Sequence, residues 1–314
     1  MEYICCNDKL NLSVEEYFPD AVDRYLEGYI VYLERRNVDP SIITNIKEFY
    51  RNIHTCLSEY YFGQHGSARD FFNAAMEYVD IGALCSPLRE ENFYRARSVS
   101  EDELDPSDVL SKEELFHIPL EKRHLVSTER YSFPGLPCLY LGSSYEVCCE
   151  ELEDWNDDLF IAKIKKRNNV NINILDLSFF DRYDIHNMDV KLMERMYSLW
   201  PIIACCSFSY NMNKEMKFRP DYIIPQLLLE YIIDTNYDKK ILGIEEDIVG
   251  IRYRTVRKTF YNLQENRFDN KYVNYVFPVL SNEQCGHCSK LKDFFDVTEV
   301  FRLKELMSNG RAGV

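Results

Sequence analysis

The sequence predicts an α+β protein: a helical bundle over residues 1–88, followed by a mixed-sheet domain over residues 89–314. Three observations predict it. The first 88 residues carry apolar positions at three- and four-residue spacing, in three runs. Beyond them come short alternating or wholly apolar runs of strand length, interrupted by three helical patterns. Hydrophobic residues make up 46% of the 314, with only 11 Gly and 11 Pro, which is the composition of a folded chain rather than a disordered one.

In the first region, Val14 to Arg36 places Tyr17, Val22, Tyr25, Tyr29 and Tyr32 along one face. Asp39-Pro40-Ser41 starts a second helix, with Ile42, Ile43, Ile46, Phe49, Tyr50 and Ile53 on its apolar side, and Gly63 and Gly66 close it. Ser67 is the expected cap of a third, carrying Phe71, Phe72, Ala75, Met76 and Val79. Three amphipathic helices make a small bundle.

Glu91 to Arg97 alternates as a strand that brings one arginine inward, Arg95 or Arg97. Residues 100–112 are acidic, polar and loop-like. Leu159 to Ile164 and Val170 to Leu177 flank the turn residues Asn168 and Asn169, and a hairpin is expected. Asp189 to Trp200 reads as a helix ended by Pro201, with the short apolar run Ile202 to Phe208 after it. In Phe218 to Ile233, Pro225 stands near a helix start, where a missing N–H costs nothing. Gln226 then lies in the first turn, either reaching a ligand or a backbone group or merely anchoring the helix. Ile248 to Val256 and Tyr272 to Val279 read as strands, with Pro278 marking an edge or an end. Leu291 to Phe295 and Val297 to Leu303 close the fold, and residues 308–314 are expected to fray.

Net charge is −15, with a pI near 5.0. A nucleic-acid partner would need a basic face to displace phosphate counterions, so none is expected. A basic partner protein suits so acidic a surface, and a homodimer is compatible with it. Eleven cysteines are scattered, with adjacent pairs at Cys5-Cys6, Cys148-Cys149 and Cys205-Cys206. The start, MEYICCNDKL, lacks the pattern of a signal peptide, and no apolar run approaches the roughly 18 residues that span a bilayer. A reduced cytoplasmic protein without a membrane segment is the expectation.

The chemistry is concentrated in Arg130 to Leu152, RYSFPGLPCLYLGSSYEVCCEEL. Pro134, Gly135 and Pro137 make a turn, Cys138 to Leu141 a buried strand, and Ser143 or Ser144 caps a helix starting near Tyr145. The fold-back brings Arg130, Tyr140 and Glu151 together: a cation, an aromatic ring and a carboxylate, as a small-molecule site needs. The stretch resembles the core of the RES domain family. There an Arg precedes a Pro-Gly turn, a Leu-Tyr strand, a Ser-Ser turn and a Glu at the end of the next helix. Arg130, Pro134-Gly135, Leu139-Tyr140, Ser143-Ser144 and Glu151 stand in that order. Phe116-His117-Ile118-Pro119 and Arg123-His124-Leu125-Val126 resemble segments upstream of the family's arginine, and the family's Tyr-Arg pair favours Arg95 over Arg97. Phe218 to Gln226 resembles its F-x-x-[ED]-Y-[LI]-I-P-Q motif. The family's Gly-Ile-x-Tyr-x-Ser stands here as Gly250 to Thr255, the serine's hydroxyl kept and a methyl added. Cys149 takes the place of a family tryptophan. The likeness covers roughly residues 90–300.

The resemblance implies an ADP-ribosyltransferase-like fold and consumption of NAD+, with NAD+ as substrate and no further cofactor. Cleaving nicotinamide from ribose passes through a cation-like ribosyl transition state, which a carboxylate such as Glu151 stabilises. A tyrosine such as Tyr140 packs on the flat nicotinamide, and planar arginine donors such as Arg95 and Arg130 suit the pyrophosphate. Arg97, Tyr131, Ser143, Ser144, Gln226 and Thr255 complete the implied binding set, and no metal is required because the leaving group departs neutral. The family includes toxins restrained by a cognate antitoxin, so an antitoxin or regulatory protein is an implied partner. An NAD+ glycohydrolase or phosphorylase that acts as a toxin or defence effector is the leading expectation. The alternatives are an ADP-ribosyltransferase modifying a protein or nucleotide, and a noncatalytic module that docks a partner. The N-terminal helices resemble the HEPN-type region that often precedes RES domains. Arg51 and His54 are too close to match the Arg and His of its ribonuclease members, so RNA cleavage is not expected. Cys285-Gly286-His287-Cys288 is half of a zinc motif, or a pair of structural thiols.

Overall fold

A computed structural model describes residues 10–99, 110–156, 158–168, 170–183, 187–210, 216–241, 247–256, 261–262, 267–268 and 272–310. The Cys5-Cys6 pair, the start of the acidic stretch at 100–109, Asn169 and residues 311–314 lie outside them. In chain order the elements begin with strand β1 (Asn11–Leu12) and helices α1 (Phe18–Arg35), α2 (Pro40–Tyr61) and α3 (His65–Met76). Strands β2 (Cys85–Pro87), β3 (Asn92–Arg97) and β4 (Cys138–Gly142) lead to helix α4 (Tyr145–Leu152). Then come β5 (Phe160–Lys166), β6 (Asn173–Asp176), α5 (Val190–Cys205), β7 (Ser209–Tyr210) and α6 (Ile223–Ile241). The chain continues with β8 (Ile248–Arg254), β9 (Tyr261–Asn262), β10 (Arg267–Phe268), β11 (Val273–Pro278), α7 (Ser289–Phe294), β12 (Phe295–Arg302) and α8 (Leu303–Gly310). The fold is α+β, as the sequence predicts.

The chain divides into two units, each assembled from three separate stretches. The helical unit takes residues 1–84, 179–244 and 261–268; the sheet unit takes 85–178, 245–260 and 269–314. The sequence suggested one boundary near residue 88. Instead α5 and α6 group with the first three helices, because their apolar faces fill the same core. Trp200 Nε1 donates to the Tyr25 hydroxyl at 2.8 Å, and the Tyr29 hydroxyl donates to the Tyr197 carbonyl at 3.1 Å. Phe208 meets Phe18 and Tyr25 edge-on. Each such ring removed from water stabilises the unit by roughly 1.5–3 kcal/mol.

Several boundaries differ from the sequence reading. Helix α1 starts at Phe18 rather than Val14, with Pro19 in its first turn, which leaves Tyr17 as the N-cap and about half exposed. Asp39 caps α2 by accepting from Ser41 N–H. Ser67 falls inside α3, which begins at His65. Pro201 lies within α5, which continues to Cys205. Residues 308–310 complete α8 rather than fraying.

The sheet unit is built on eight strands in the order β12-β5-β3-β4-β11-β8-β6-β2. Its pairs are antiparallel except β6 with β8, so the sheet is mixed. The expected hairpin of β5 with β6 does not form. Strand β5 lies between β3 and β12, and β6 lies between β8 and β2. One face carries the larger core, where Phe93 meets Tyr275 at 5.0 Å and Phe277 meets Phe295 at 4.7 Å. The other carries a smaller cluster of Cys149, Leu159, Ile161 and Leu303. Gly250 is glycine for lack of room: a Cβ there would stand 2.4 Å from the Phe277 ring. Inside the larger core Arg252 is buried and satisfied, paired with Asp176 at 3.0 Å, with Ser178 and Tyr275 beside it.

Candidate active site

The site is built at the junction of β4 and α4. Ser143 prolongs the β4–β11 ladder, its N–H donating to the Val273 carbonyl and its hydroxyl accepting from Val273 N–H. Ser144 has extended backbone and its hydroxyl accepts from Val147 N–H, so it is the one that caps the helix. The chain folds back tightly because Gly142 has no side chain; a Cβ there would lie 2.7 Å from the Cys148 sulfur. Helix α4 stops after Leu152, where Glu153 turns left-handed at φ 52. Glu151 sits in its last turn.

The Glu151 carboxylate is gripped from β11 and from the residue that follows β8. At one oxygen, Oε1, it accepts from the Thr255 hydroxyl at 2.6 Å and from the Asn274 side-chain amide at 2.6 Å. Both donors are buried, Thr255 being 1% exposed and Asn274 5%. Asn274 pairs across the sheet with Gly142 on one side and Tyr253 on the other, so it shares their face. Tyr140, two residues before Gly142, faces the same way. The Tyr140 hydroxyl accepts from Tyr131 N–H at 3.2 Å, and the Tyr131 ring packs on Tyr253 with centroids 4.7 Å apart. Burial pushes the Tyr140 phenol well above its ordinary pKa.

Strands β3 and β4 pair at Tyr94 and Gly142, and among the described residues no further pair joins them. The Arg95 guanidinium enters where that ladder opens and donates through Nη1 to the Tyr140 carbonyl at 3.1 Å. Its Nε is buried and, among the described residues, has no hydrogen-bond partner. Desolvation pulls this guanidinium below the ordinary arginine value. Nearby, the Cys148 thiol donates to the Tyr94 carbonyl at 3.3 Å, and burial raises that thiol to about 12.

The remaining residues expected in the site are placed as follows. Arg130 and Tyr131 are buried within the sheet unit, and Tyr131 reaches Tyr140 through its N–H. Arg97 donates to the Glu114 carbonyl at 3.0 Å. Gln226 is buried in the first turns of α6 and belongs to the helical unit. Thr255, expected beside a ligand, directs its hydroxyl at Glu151. Asn274 was not anticipated; the signal was a lone amide in the otherwise apolar strand VNYVFP. A buried amide in such a strand needs a polar partner, and Glu151 is one.

The Cys285–Cys288 motif forms a latch. Cys288 N–H donates to His117 Nε2 at 2.9 Å, while His117 Nδ1 bonds the Ile118 carbonyl at 2.7 Å, which fixes a neutral imidazole. The Cys288 sulfur accepts from Leu280 N–H and the Ser281 hydroxyl. Gly286 N–H donates to Glu121, and Leu120 N–H to the Gly286 carbonyl. Among the described residues no three His, Cys, Asp or Glu side chains gather as a metal site. Among them, too, no helix is long and apolar enough to cross a membrane.

No family model and no solved structure matches the chain. A Bacillus subtilis (strain 168) protein named "Putative toxin YopC" is 30% identical over 319 aligned residues, spanning 93% of this chain and 68% of that protein. At that identity and coverage, the chain belongs to the family of YopC.

Proposed function

We propose that this protein binds NAD+ and breaks its nicotinamide–ribose bond, depleting NAD+ as a toxin or defence effector. The observation that carries the reading is the Glu151 carboxylate, held by Thr255 and Asn274 on the sheet face that bears Tyr140. In the reaction, the bond from ribose C1′ to the nicotinamide nitrogen breaks and its electron pair leaves with nicotinamide. A water or phosphate oxygen bonds to C1′ and gives up its proton, yielding ADP-ribose or its 1″-phosphate. Glu151 stabilises the cation-like ribosyl group between these events. Tyr140 packs on nicotinamide, and Arg95 and Arg130 hold the pyrophosphate. The buried Nε of Arg95, without a partner among the described residues, is a donor suited to an anionic ligand. The name of the Bacillus subtilis relative favours a toxin role. An unrestrained NAD+ consumer harms its own cell, so a cognate antitoxin or regulatory protein belongs to the proposal.

The test follows NAD+ by chromatography with the purified chain, with and without inorganic phosphate. Wild type should release nicotinamide, and Glu151→Gln should lose turnover by about 100-fold or more while still binding NAD+. Labelled protein or nucleotide formed from labelled NAD+ would make the enzyme a transferase. Wild-type turnover in Glu151→Gln would remove that carboxylate from the chemistry, whereas toxicity without NAD+ turnover in either protein would leave a partner-docking module.

A further inference from the structure

We infer that Asn274 is a positioning residue, which fixes the orientation of the Glu151 carboxylate for the proposed NAD+ chemistry; the inference rests on that reading of the site. The argument begins with where the amide comes from. Asn274 lies in β11 with backbone pairs on both sides, to Gly142 of β4 and Tyr253 of β8. Its Cα is therefore held by the middle of the sheet, not by a loop. Neighbouring positions Val273, Tyr275, Val276 and Phe277 are all at most 1% exposed. An amide set in such a strand costs free energy unless it is satisfied. Its Nδ2 is satisfied by Glu151 Oε1 at 2.6 Å, across 123 residues of chain.

The second donor makes the arrangement directional. Thr255 follows β8, its N–H donating to the Tyr272 carbonyl, and its hydroxyl reaches the same oxygen. One oxygen is thus fixed from β11 and from the residue that follows β8, while Glu151 itself comes from the last turn of a short helix. Without such a grip a glutamate at a helix end samples several rotamers, each separated by an ordinary torsional barrier. Two short bonds select one. That is what a carboxylate needs if its charge is to meet a positive centre that exists only in the transition state, since misplacement by an ångström is costly there. The amide is suited to the task because it donates without carrying charge, so it orients the carboxylate and adds no counter-charge of its own.

Asn274→Ala and Asn274→Leu in the full chain test this, with three readouts. Steady-state NAD+ turnover should show kcat reduced by up to about 100-fold with KM within about twofold of wild type. NAD+ binding by calorimetry should be preserved. Infrared difference spectra of each variant against its Glu151→Gln counterpart isolate the Glu151 carboxylate stretch. That band should shift when the amide is removed. An unchanged kcat, or a raised KM with kcat kept, would overturn the inference, the latter because Asn274 would then be a substrate contact. If wild type leaves NAD+ intact, the NAD+ reading fails by itself, and the infrared band alone decides whether Asn274 orients Glu151.

Discussion

At the scale of single residues, the site depends on hydrogen bonds that a sequence only partly discloses. The cap was narrowed to Ser143 or Ser144 by helix-capping chemistry, and Tyr140, Glu151 and Thr255 were singled out by motif spacing, but the hydrogen bonds they make were not. Asn274 was not singled out, because one asparagine among apolar residues looks the same whether its amide meets solvent, a turn or a carboxylate. Thr255 stands where the RES family, which the sequence resembles, carries a serine. The hydroxyl reaches Glu151 at 2.6 Å with the residue 1% exposed, so the added methyl is already accommodated. Thr255→Ser should keep NAD+ turnover within a few-fold of wild type. Thr255→Val keeps the shape and deletes the donor, and should cost about 1.5–3 kcal/mol at the carboxylate, the range for a bond to a charged group. Comparing kcat/KM of the two variants checks it: equal losses would mean that the hydroxyl does not matter.

At the scale of elements, alternation located β3, β5, β8 and β11 but was silent about their neighbours. β5 and β6 looked like a hairpin because a turn separates two apolar runs. Strand pairing is decided by the rest of the sheet, and β6 takes a parallel place beside β8. Pro201 looked like a helix end, yet α5 passes through it, since a buried apolar segment from Met196 to Cys205 outweighs one lost bond. The latch between the 117–121 and 285–288 segments gives a pH signature. His117 is neutral and buried, and desolvation lowers its pKa from 6.5 to about 4. Between those values the unfolded chain binds the extra proton and the folded chain does not, so stability rises with pH across that window. Acidifying from 6.5 to 4 should remove up to about 3 kcal/mol, and the lowered value of His287 acts in the same direction. Urea unfolding as a function of pH measures it. His117→Gln, which keeps an acceptor but cannot titrate, should flatten the curve; an unaltered slope would mean that the histidine is not responsible.

At the scale of the whole molecule, the sequence reading set helices before a sheet with one boundary near residue 88, whereas the two units interleave along the chain. Local patterns mark helices and strands, but the assignment of α5 and α6 to the N-terminal helices is fixed by side chains such as Trp200 and Phe208 that find Tyr25 and Phe18 far back in the chain. Residues 1–88 therefore hold only part of their own core. Expressed alone, that fragment should show little cooperative thermal unfolding by circular dichroism, and a sharp transition would mean that three helices suffice. The same interleaving bears on synthesis. Thr255 and Asn274 emerge 104 and 123 residues after Glu151. In a nascent chain the glutamate therefore waits for partners made more than a hundred residues later, and its carboxylate takes up this orientation only after both have left the ribosome.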